Sequence, residues 1–167
     1  MNFNFLHSLL IITLIITMNS CVSDTAGNQI ASATSQKEVN YTYNESEIET
    51  MNLINTHRVS LGLNALVKID YISYKSGEHN DYMVANNVVN HNDFVARSEN
   101  IIKVLGAKKV DENIAFNFNT PQAALTAWLA SPGHKVNVEG DFTHFGIAIK
   151  EDPATGKKYY TNIFIKI

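Results

Sequence analysis

The sequence is short of cysteine and of charge of either sign. It has one cysteine, Cys21, in 167 residues, which excludes an intramolecular disulfide, so burial and hydrogen bonding have to hold the fold together. Its 13 Lys+Arg and 16 Asp+Glu are spread without long runs and give a formal net charge of −3. This pattern offers no electrostatic footprint for nucleic acid or for an anionic membrane surface. The 45% of hydrophobic residues instead predicts one globular domain with an ordinary core.

Lysine and arginine are missing from the N-terminal segment, since none precedes residue 37, and an apolar run from Phe5 to Met18 dominates it. This run is shorter than a bilayer span of about 20 residues and is typical of the apolar part of a secretory signal, although the usual basic residues before it are lacking. A short buried helix is the alternative. Ser20-Cys21 resembles the cleavage site of a bacterial lipoprotein signal, in which the cysteine is lipidated. An ordinary free cysteine beside a conventional signal is the other interpretation.

These features predict a lipoprotein-type signal peptide over residues 1–20 and a membrane anchor at a lipidated Cys21. From Val22 to about Glu45 the composition shifts to Ser, Thr, Ala, Asn, Gln and Gly, which is typical of a flexible tether. The predicted order is therefore signal (1–20), tether (21–45) and folded domain (46–167). We expect an exported protein that is held at the cell surface or in the periplasm by its anchor, or that is otherwise secreted.

The folded part begins with helical periodicity and ends with strand alternation. Helices are predicted from Glu45 or Ser46, with a serine cap, to Gly62, from about Asp70 to Asn87, from Phe94 to Leu105, and from Thr120-Pro121 to Leu129. The predicted buried side of the second helix comprises Tyr71, Tyr74, Tyr82, Met83 and Val84. Strands are predicted at Val110 to Phe118, Phe145 to Lys150 and Lys158 to Ile167, the last two forming a hairpin. Because the strands come late, the pattern indicates an α+β fold with helices on the faces of a largely antiparallel sheet.

A series of short motifs adds a family resemblance. They are Asn55-Thr56-His57-Arg58, Gly62-Leu63 with Leu66, His79 with Met83, His91 with Phe94, Glu112-Asn113-Ile114, Trp128, Ser131 to Asn137, and Phe142 to Ile147. In this order and near this spacing they resemble the bacterial branch of the CAP superfamily, also called SCP-like extracellular proteins, over roughly residues 46–167. The resemblance implies a three-layer α-β-α sandwich with a mainly antiparallel central sheet. It also implies a cleft that carries two histidines and two acidic residues.

The resemblance places three residues of this chain in the cleft. His91 is similar to the first histidine, Glu112 to the glutamate of the Gly-Glu-Asn segment, and His134 to the second histidine. The second acidic position falls near Ser131, where this chain has a hydroxyl group. The residues expected to line the cleft or its rim are Ser131, Asn113 and His144.

Two imidazoles and a carboxylate are ligands that Zn²⁺ accepts, with a fourth position left for water. His91, His134 and Glu112 are therefore candidate ligands of a divalent metal, and Glu112 is also the candidate catalytic residue. In the alternative, the two histidines hydrogen-bond to the backbone or to Glu112 and fix the loops. Glu99 opens a second Glu-Asn-Ile triplet but is expected on a solvated helix face. A Ser131-His134-Glu112 triad is disfavoured, because no nucleophile elbow surrounds Ser131.

Four further residues are expected to support the fold. Arg58 and Asn55 should brace the first helix, the arginine by satisfying several carbonyls with its planar fork. His79 is expected to be a satisfied histidine beside Met83, with a supporting role at the cleft as the alternative. Trp128 is expected in the core, under the segment that positions His134.

Three functions remain open at this point. The first is a noncatalytic or weakly metal-binding extracellular module that recognises an unknown ligand or protein through its cleft. The second is a metal-dependent hydrolase acting on extracellular or cell-wall substrates, in which Zn²⁺ held by His91 and His134 generates hydroxide and Glu112 acts as general base. The third, borrowed from the resemblance, is a lipid-binding module.

Overall fold

The structure is a computed structural model that describes residues 39–167. Its elements are α1 (Glu45–Ser60), β1 (Val67–Lys68), α2 (Asp70–Asn86), α3 (Phe94–Leu105), β2 (Lys109–Phe116), α4 (Pro121–Ala130), α5 (Pro132–Val138), β3 (His144–Glu151) and β4 (Lys158–Lys166). None of these helices is long and apolar enough to cross a bilayer. The predicted signal peptide and Cys21 lie outside the described residues.

The four strands form one sheet in the order β1-β3-β4-β2. β4 pairs antiparallel with both β2 and β3, so that Ile163 lies between Glu112 and Gly146. β1 pairs parallel with β3 at His144 and Phe145. The mainly antiparallel sheet is confirmed, with one parallel pairing added. The sequence does not reveal β1 because two residues are too few to show strand alternation.

Helices cover both faces of the sheet, which confirms the three-layer sandwich. The core on the α1 and α4 side includes Met51, Ile54, Leu125, Trp128, Tyr160 and Phe164. The core on the α2 and α3 side includes Ile72, Ile101, Ala107, Ile163 and Ile165. Alternate residues of β4 therefore serve the two cores, as the two-residue period of a strand requires.

Local sequence signals set most helix ends. α3 spans the predicted residues and ends before Gly106, which adopts the left-handed conformation. α1 is capped by Asn44 and not by the predicted serine: Asn44 Oδ1 accepts the N–H of Glu47, whose carboxylate accepts the N–H of Asn44. The sequence does not predict α5, because Ser131-Pro132-Gly133 indicates a helix end. In the structure Pro132 instead opens a new helix, where its missing N–H costs nothing.

The predicted buried side of α2 is confirmed for Met83 and in part for Tyr71, which packs half-buried against the core of α2 and α3, but it misses most of the buried residues. The buried residues of α2 are Ile72, Ser73, Ser76, His79, Asn80 and Met83, whereas Tyr74 is 42% exposed. These polar side chains find partners in the sheet: Ser73 Oγ accepts the N–H of Ile147, and Asn80 Nδ2 donates to the carbonyl of Ala148. A hydrophobicity pattern misses a helix face that is buried through hydrogen bonds.

The packed domain begins before residue 46. The Tyr41 N–H and the Tyr43 hydroxyl both donate to the carboxylate of Asp70, and the Tyr41 hydroxyl donates to Glu47. Glu47 is 1% exposed and also accepts the N–H of Ile149 in β3. Burial, reinforced by the hydrogen bond to Asp70, raises the pKa of Tyr43 to about 12. The residues from Tyr41 onward are therefore part of the domain, and a flexible tether can extend only over residues before them.

Candidate functional site

Two adjacent residues of β2, Glu112 and Asn113, organise the candidate site. Successive side chains of a strand point to opposite faces of its sheet. Glu112 lies in register with Ile163 and faces the layer of α2 and α3, while Asn113 faces α5 on the other side. β2 is an edge strand, so segments from both layers can meet beside it.

Glu112 is a buried anion with three basic neighbours. Arg97 Nε donates to Glu112 Oε2 at 2.8 Å and Arg97 Nη2 donates to Oε1 at 2.9 Å, which makes a two-pronged ion pair. His91 Nδ1 lies 2.9 Å from Oε1, and His79 Nε2 lies 3.9 Å from the same oxygen. The Glu112 side chain is 1% exposed, whereas that of His91 is 46% exposed. We call Glu112, Arg97, His91 and His79 the Glu112 cluster.

Within the Glu112 cluster, His79 is held neutral. Burial lowers its pKa and outweighs the attraction of the Glu112 carboxylate, which raises it. A neutral imidazole 2.8 Å from the Asn90 carbonyl oxygen has to carry its proton on Nε2 and donate it there. This confirms a satisfied histidine on α2, and its hydrogen bond to Asn90 fixes the loop immediately before His91.

Asn113 holds the segment that carries His134. Asn113 Nδ2 donates to the His134 carbonyl at 3.0 Å, and Asn113 Oδ1 accepts from Asn137 Nδ2 at 2.9 Å. Burial, and secondly the charge of His91, lower the pKa of the His134 imidazole. The two imidazoles are thus electrostatic neighbours, although they belong to opposite layers of the sandwich.

Arg58 fixes the loop that follows α5. Its side chain is fully buried, and it donates to the carbonyls of Asn64, Val138, Gly140 and Phe142. The predicted bracing role of Arg58 is confirmed, as is that of Asn55, which exchanges two hydrogen bonds with the backbone of Leu66. Trp128 is 1% exposed and donates to the Ile114 carbonyl beside Asn113. Arg58 and Trp128 thus hold the two segments next to His134, namely the loop after α5 and the strand β2 that carries Asn113.

The predicted ligand set is only partly assembled. Among residues 39–167, no group of three or more His, Cys, Asp or Glu side chains is arranged to hold a metal ion. Both Glu112 oxygens already accept hydrogen bonds from the Arg97 guanidinium, whose positive charge opposes a cation at the same place. Glu112 fits the role of orienting His91 through its Nδ1, as carboxylates commonly do for metal-binding histidines, better than the role of a ligand.

The other predicted residues lie apart from the Glu112 cluster. Ser131 separates α4 from α5, and its carbonyl accepts the N–H groups of His134 and Lys135. His144 opens β3, where its Nδ1 lies 2.8 Å from Thr143 Oγ1, and among the described residues no hydrogen bond or ion pair joins it to the Glu112 cluster. Glu99 is exposed on α3, as predicted.

Arg97 is the residue of this site that the sequence patterns miss. It lies in the first turns of α3, six residues after His91, and its side chain is 9% exposed. The signal that could have found it is physical: a carboxylate placed on a buried strand needs a cation nearby. α3 offers only Arg97 and Lys103, and Arg97 is closer in sequence to His91.

Two open depressions lie near the start of α1. One, of about 390 Å³, is lined by residues that include Asn44, Ile149 and Lys158. The other, of about 410 Å³, has a more apolar lining that includes Tyr43, Ile48 and Leu53. Neither lining includes His91, Glu112 or His134.

Known proteins share both the sequence pattern and the fold. The family model described as "Cysteine-rich secretory protein family" (CAP) matches residues 51–164. An uncharacterized membrane protein of Bacillus subtilis is 31% identical over 128 residues, which are 72% of this chain and 34% of that relative. The chain thus spans about a third of the length of this relative.

Three solved structures share the fold. An outer surface protein of Borrelia burgdorferi has a TM-score of 0.66 at 19% identity, covering 77% of this chain and 98% of that one. An extracellular protein of Bacillus anthracis that contains an SCP domain has a TM-score of 0.64 at 25% identity, covering 73% and 40%. A cysteine-rich secretory protein of Staphylococcus aureus has a TM-score of 0.58 at 18% identity, covering 73% and 39%.

Proposed function

The chain belongs to the CAP family of cysteine-rich secretory proteins, and we propose from this premise that it is an exported recognition module without hydrolytic activity. One observation carries the proposal: the Glu112 carboxylate is engaged by Arg97 and His91 and is almost fully buried. A general base has to reach the proton that it removes. Glu112 would have to break its ion pair with Arg97 to do so.

The recognising surface is formed by the two imidazoles beside the edge of β2. Arg97 neutralises the charge of Glu112 locally, so His91 and His134 present hydrogen-bonding nitrogens without a strong net field. His91 is oriented by Glu112, while Asn113 holds the backbone at His134. A ligand or partner protein with polar groups fits such a preorganised pair.

The absence of hydrolysis is tested by turnover assays on the exported full-length protein. Peptide, ester and cell-wall glycan substrates should show no turnover above the background of a buffer control. The proposal is overturned if a substrate is cleaved and if His134→Ala abolishes the cleavage while His144→Ala retains it. His144 is the matched control because it is also a half-buried histidine but lies away from the Glu112 cluster.

A second function, weak binding of a divalent metal, is favoured by the bond from His91 Nδ1 to Glu112, which leaves Nε2 as the outward nitrogen. His91 and His134 would hold the ion, and Zn²⁺ bound there would polarise a coordinated water. In calorimetry, folded wild-type protein should bind Zn²⁺ weakly, and both His91→Ala and His134→Ala should abolish the heat. Equal binding by the wild type and both variants, or none at all, would exclude this site.

Export and anchoring complete the proposal. The support is the apolar run from Phe5 to Met18, followed by Cys21, together with the names of two similar proteins, one an outer surface protein and one an extracellular protein. A lipidated Cys21 would place the protein in the membrane fraction of exporting bacteria, each buried methylene contributing about 0.8 kcal/mol. We expect Cys21→Ser to release it. Wild-type protein in the soluble fraction, with Cys21→Ser in the same place, would rule out the anchor.

Lipid recognition is the remaining candidate function. The Cys21→Ser protein distinguishes it from recognition of a polar ligand. A recognition module that reads polar groups should show no saturable binding to dispersed lipid or sterol once Cys21→Ser has removed the anchor. Saturable lipid binding that is lost in His91→Ala would show that the protein recognises a lipid and not a polar ligand.

A further inference from the structure

Asn162 is a fully buried amide in the middle of the sheet. It lies on β4, in register with Asn113 of β2 on one side and Ile147 of β3 on the other. Neither its Nδ2 nor its Oδ1 has a hydrogen-bond partner among the described residues.

This amide is an exception among the buried polar groups of the domain. Asn80 of α2 lies on the opposite face of the sheet. Its Nδ2 donates to the Ala148 carbonyl, and its Oδ1 accepts a hydrogen bond from the Thr161 hydroxyl. Ser76 and Thr50 donate to carbonyls of their own helices. A buried amide without partners is strongly unfavourable, so an orphaned one indicates a missing hydrogen-bonding group.

The neighbours of Asn162 determine where its missing hydrogen-bonding partner has to lie. Alternation along β4 turns Asn162 to the same face as Tyr160 and Phe164, toward α1 and α4. Directly opposed residues of an antiparallel pair share a face, with Cβ atoms roughly 5 Å apart, so Asn113 is the polar neighbour of Asn162. The remaining ladder neighbour, Ile147, is apolar and fully buried.

Asn113 has hydrogen-bonding capacity to spare. A side-chain amide offers two N–H donors and two oxygen lone pairs. Asn113 uses one donor for the His134 carbonyl and one lone pair for Asn137. A donor and an acceptor position remain for a group placed between the two asparagines.

We propose that one internal water molecule binds between Asn162 and Asn113. Water can donate and accept at once, and buried waters typically make about three hydrogen bonds to otherwise unsatisfied polar groups. The water completes a chain from Asn162 through Asn113 to the backbone of His134. It thereby ties the surface that carries His134 to the centre of the sheet. This inference does not depend on which ligand the surface recognises.

The test uses water-to-amide nuclear Overhauser effects in the full-length folded protein, together with a crystal structure in which ordered waters are visible. We expect a water about 3 Å from the Asn162 amide and cross peaks between water and the Asn162 side-chain N–H protons. Both should vanish in Asn162→Leu, which has similar volume and no polar atoms. A direct hydrogen bond from Asn162 to Asn113 without water overturns the proposal, as does an unchanged water in Asn162→Leu.

A second variant and a control keep the test decisive. In Asn162→Gln the longer side chain should reach Asn113 directly and expel the water, so this variant serves if Asn162→Leu does not fold. The ring proton signals of His134 should shift in both variants and stay in place in Thr161→Val, whose side chain faces the opposite layer toward Asn80. If the His134 ring signals are unchanged in both Asn162 variants, the proposed hydrogen-bond chain from Asn162 to His134 is refuted.

Discussion

Arg97 and Glu112 form an ion pair that is largely removed from water. Their side chains are 9% and 1% exposed, and the pair is two-pronged. Such a pair contributes little by its mere presence, because both charges lose their hydration. Replacing only one partner of the ion pair has a larger effect, because the other partner is left as an unpaired buried charge.

We therefore expect Arg97→Met to lower the free energy of unfolding by about 3–5 kcal/mol in urea denaturation. Adding Glu112→Gln to Arg97→Met should recover part of that loss, because the buried charge is then removed. Lys166→Met is the control, since its partner Asp141 is 82% exposed and such pairs contribute about 0–1 kcal/mol. A cost for Arg97→Met no larger than that of Lys166→Met would show that Glu112 is not buried as an anion.

His79 makes stability depend on pH in a defined direction. Burial lowers its pKa below the ordinary value of 6.5, so the unfolded chain binds the proton before the native state does. The contribution of His79 is present above pH 6.5 and is lost as the pH falls through the lowered pKa. We expect unfolding free energies measured from pH 7 down to pH 5 to fall more steeply for wild type than for His79→Gln. Parallel curves for the two proteins would contradict a buried, neutral His79.

α2 lies against β3 at a distance that only glycine permits. A Cβ atom on Gly146 would stand 2.4 Å from the Ser73 backbone nitrogen and 2.7 Å from Ile72 Cβ. The same close approach lets Ser73 Oγ accept the N–H of Ile147. The helix and strand are thus held together by a close backbone approach at Gly146 and by hydrogen bonds from α2 side chains to the β3 backbone.

Gly146→Ala should consequently destabilise the domain by about 1–3 kcal/mol or more, because either α2 or β3 has to move. Thermal unfolding measures the effect. Gly133→Ala in α5 is the matched control, since a Cβ there has no neighbour within 4 Å and alanine favours a helix by up to about 1 kcal/mol over glycine. If the two variants unfold at the same temperature, the close approach of α2 to β3 is wrong.

At the scale of the whole molecule, a hydrogen-bonded segment before α1 forms the N-terminal boundary of the packed domain. Tyr41 and Tyr43 bond to Asp70 and Glu47, and Asn44 caps α1. These contacts connect the start of the domain to α2, and Glu47 connects it onward to β3. The segment from Tyr41 to Asn44 therefore stabilises the start of the domain.

A chain that starts at residue 46 should be less stable than one that starts at residue 39, by about 4 kcal/mol. The loss combines a helix cap, worth about 1 kcal/mol, with three tyrosine hydrogen bonds, worth about 1 kcal/mol each. Urea denaturation of the two chains measures the difference. Starting at residue 40 serves as the control, since it removes none of these contacts. If the chains that begin at residues 39 and 46 are equally stable, the packed domain begins at residue 46.

The sequence by itself determined the fold class, the family and most of the elements. α3 and the β3–β4 hairpin follow from short-range signals, namely periodicity, Gly106 and the turn residues before Lys158. Arg58 was also readable, because a buried guanidinium has to find several carbonyls. Such features depend on residues close in the chain or on one side chain's chemistry.

Only the tertiary structure decided what surrounds Glu112. Arg97 comes from α3, His79 from α2 and His91 from the loop between them, and no sequence spacing predicts that they converge on one oxygen pair. The polar burial of α2 and the orphaned amide of Asn162 have the same origin. Hydrogen-bond partners far apart in the chain are chosen by packing, and packing leaves no periodic trace in the sequence.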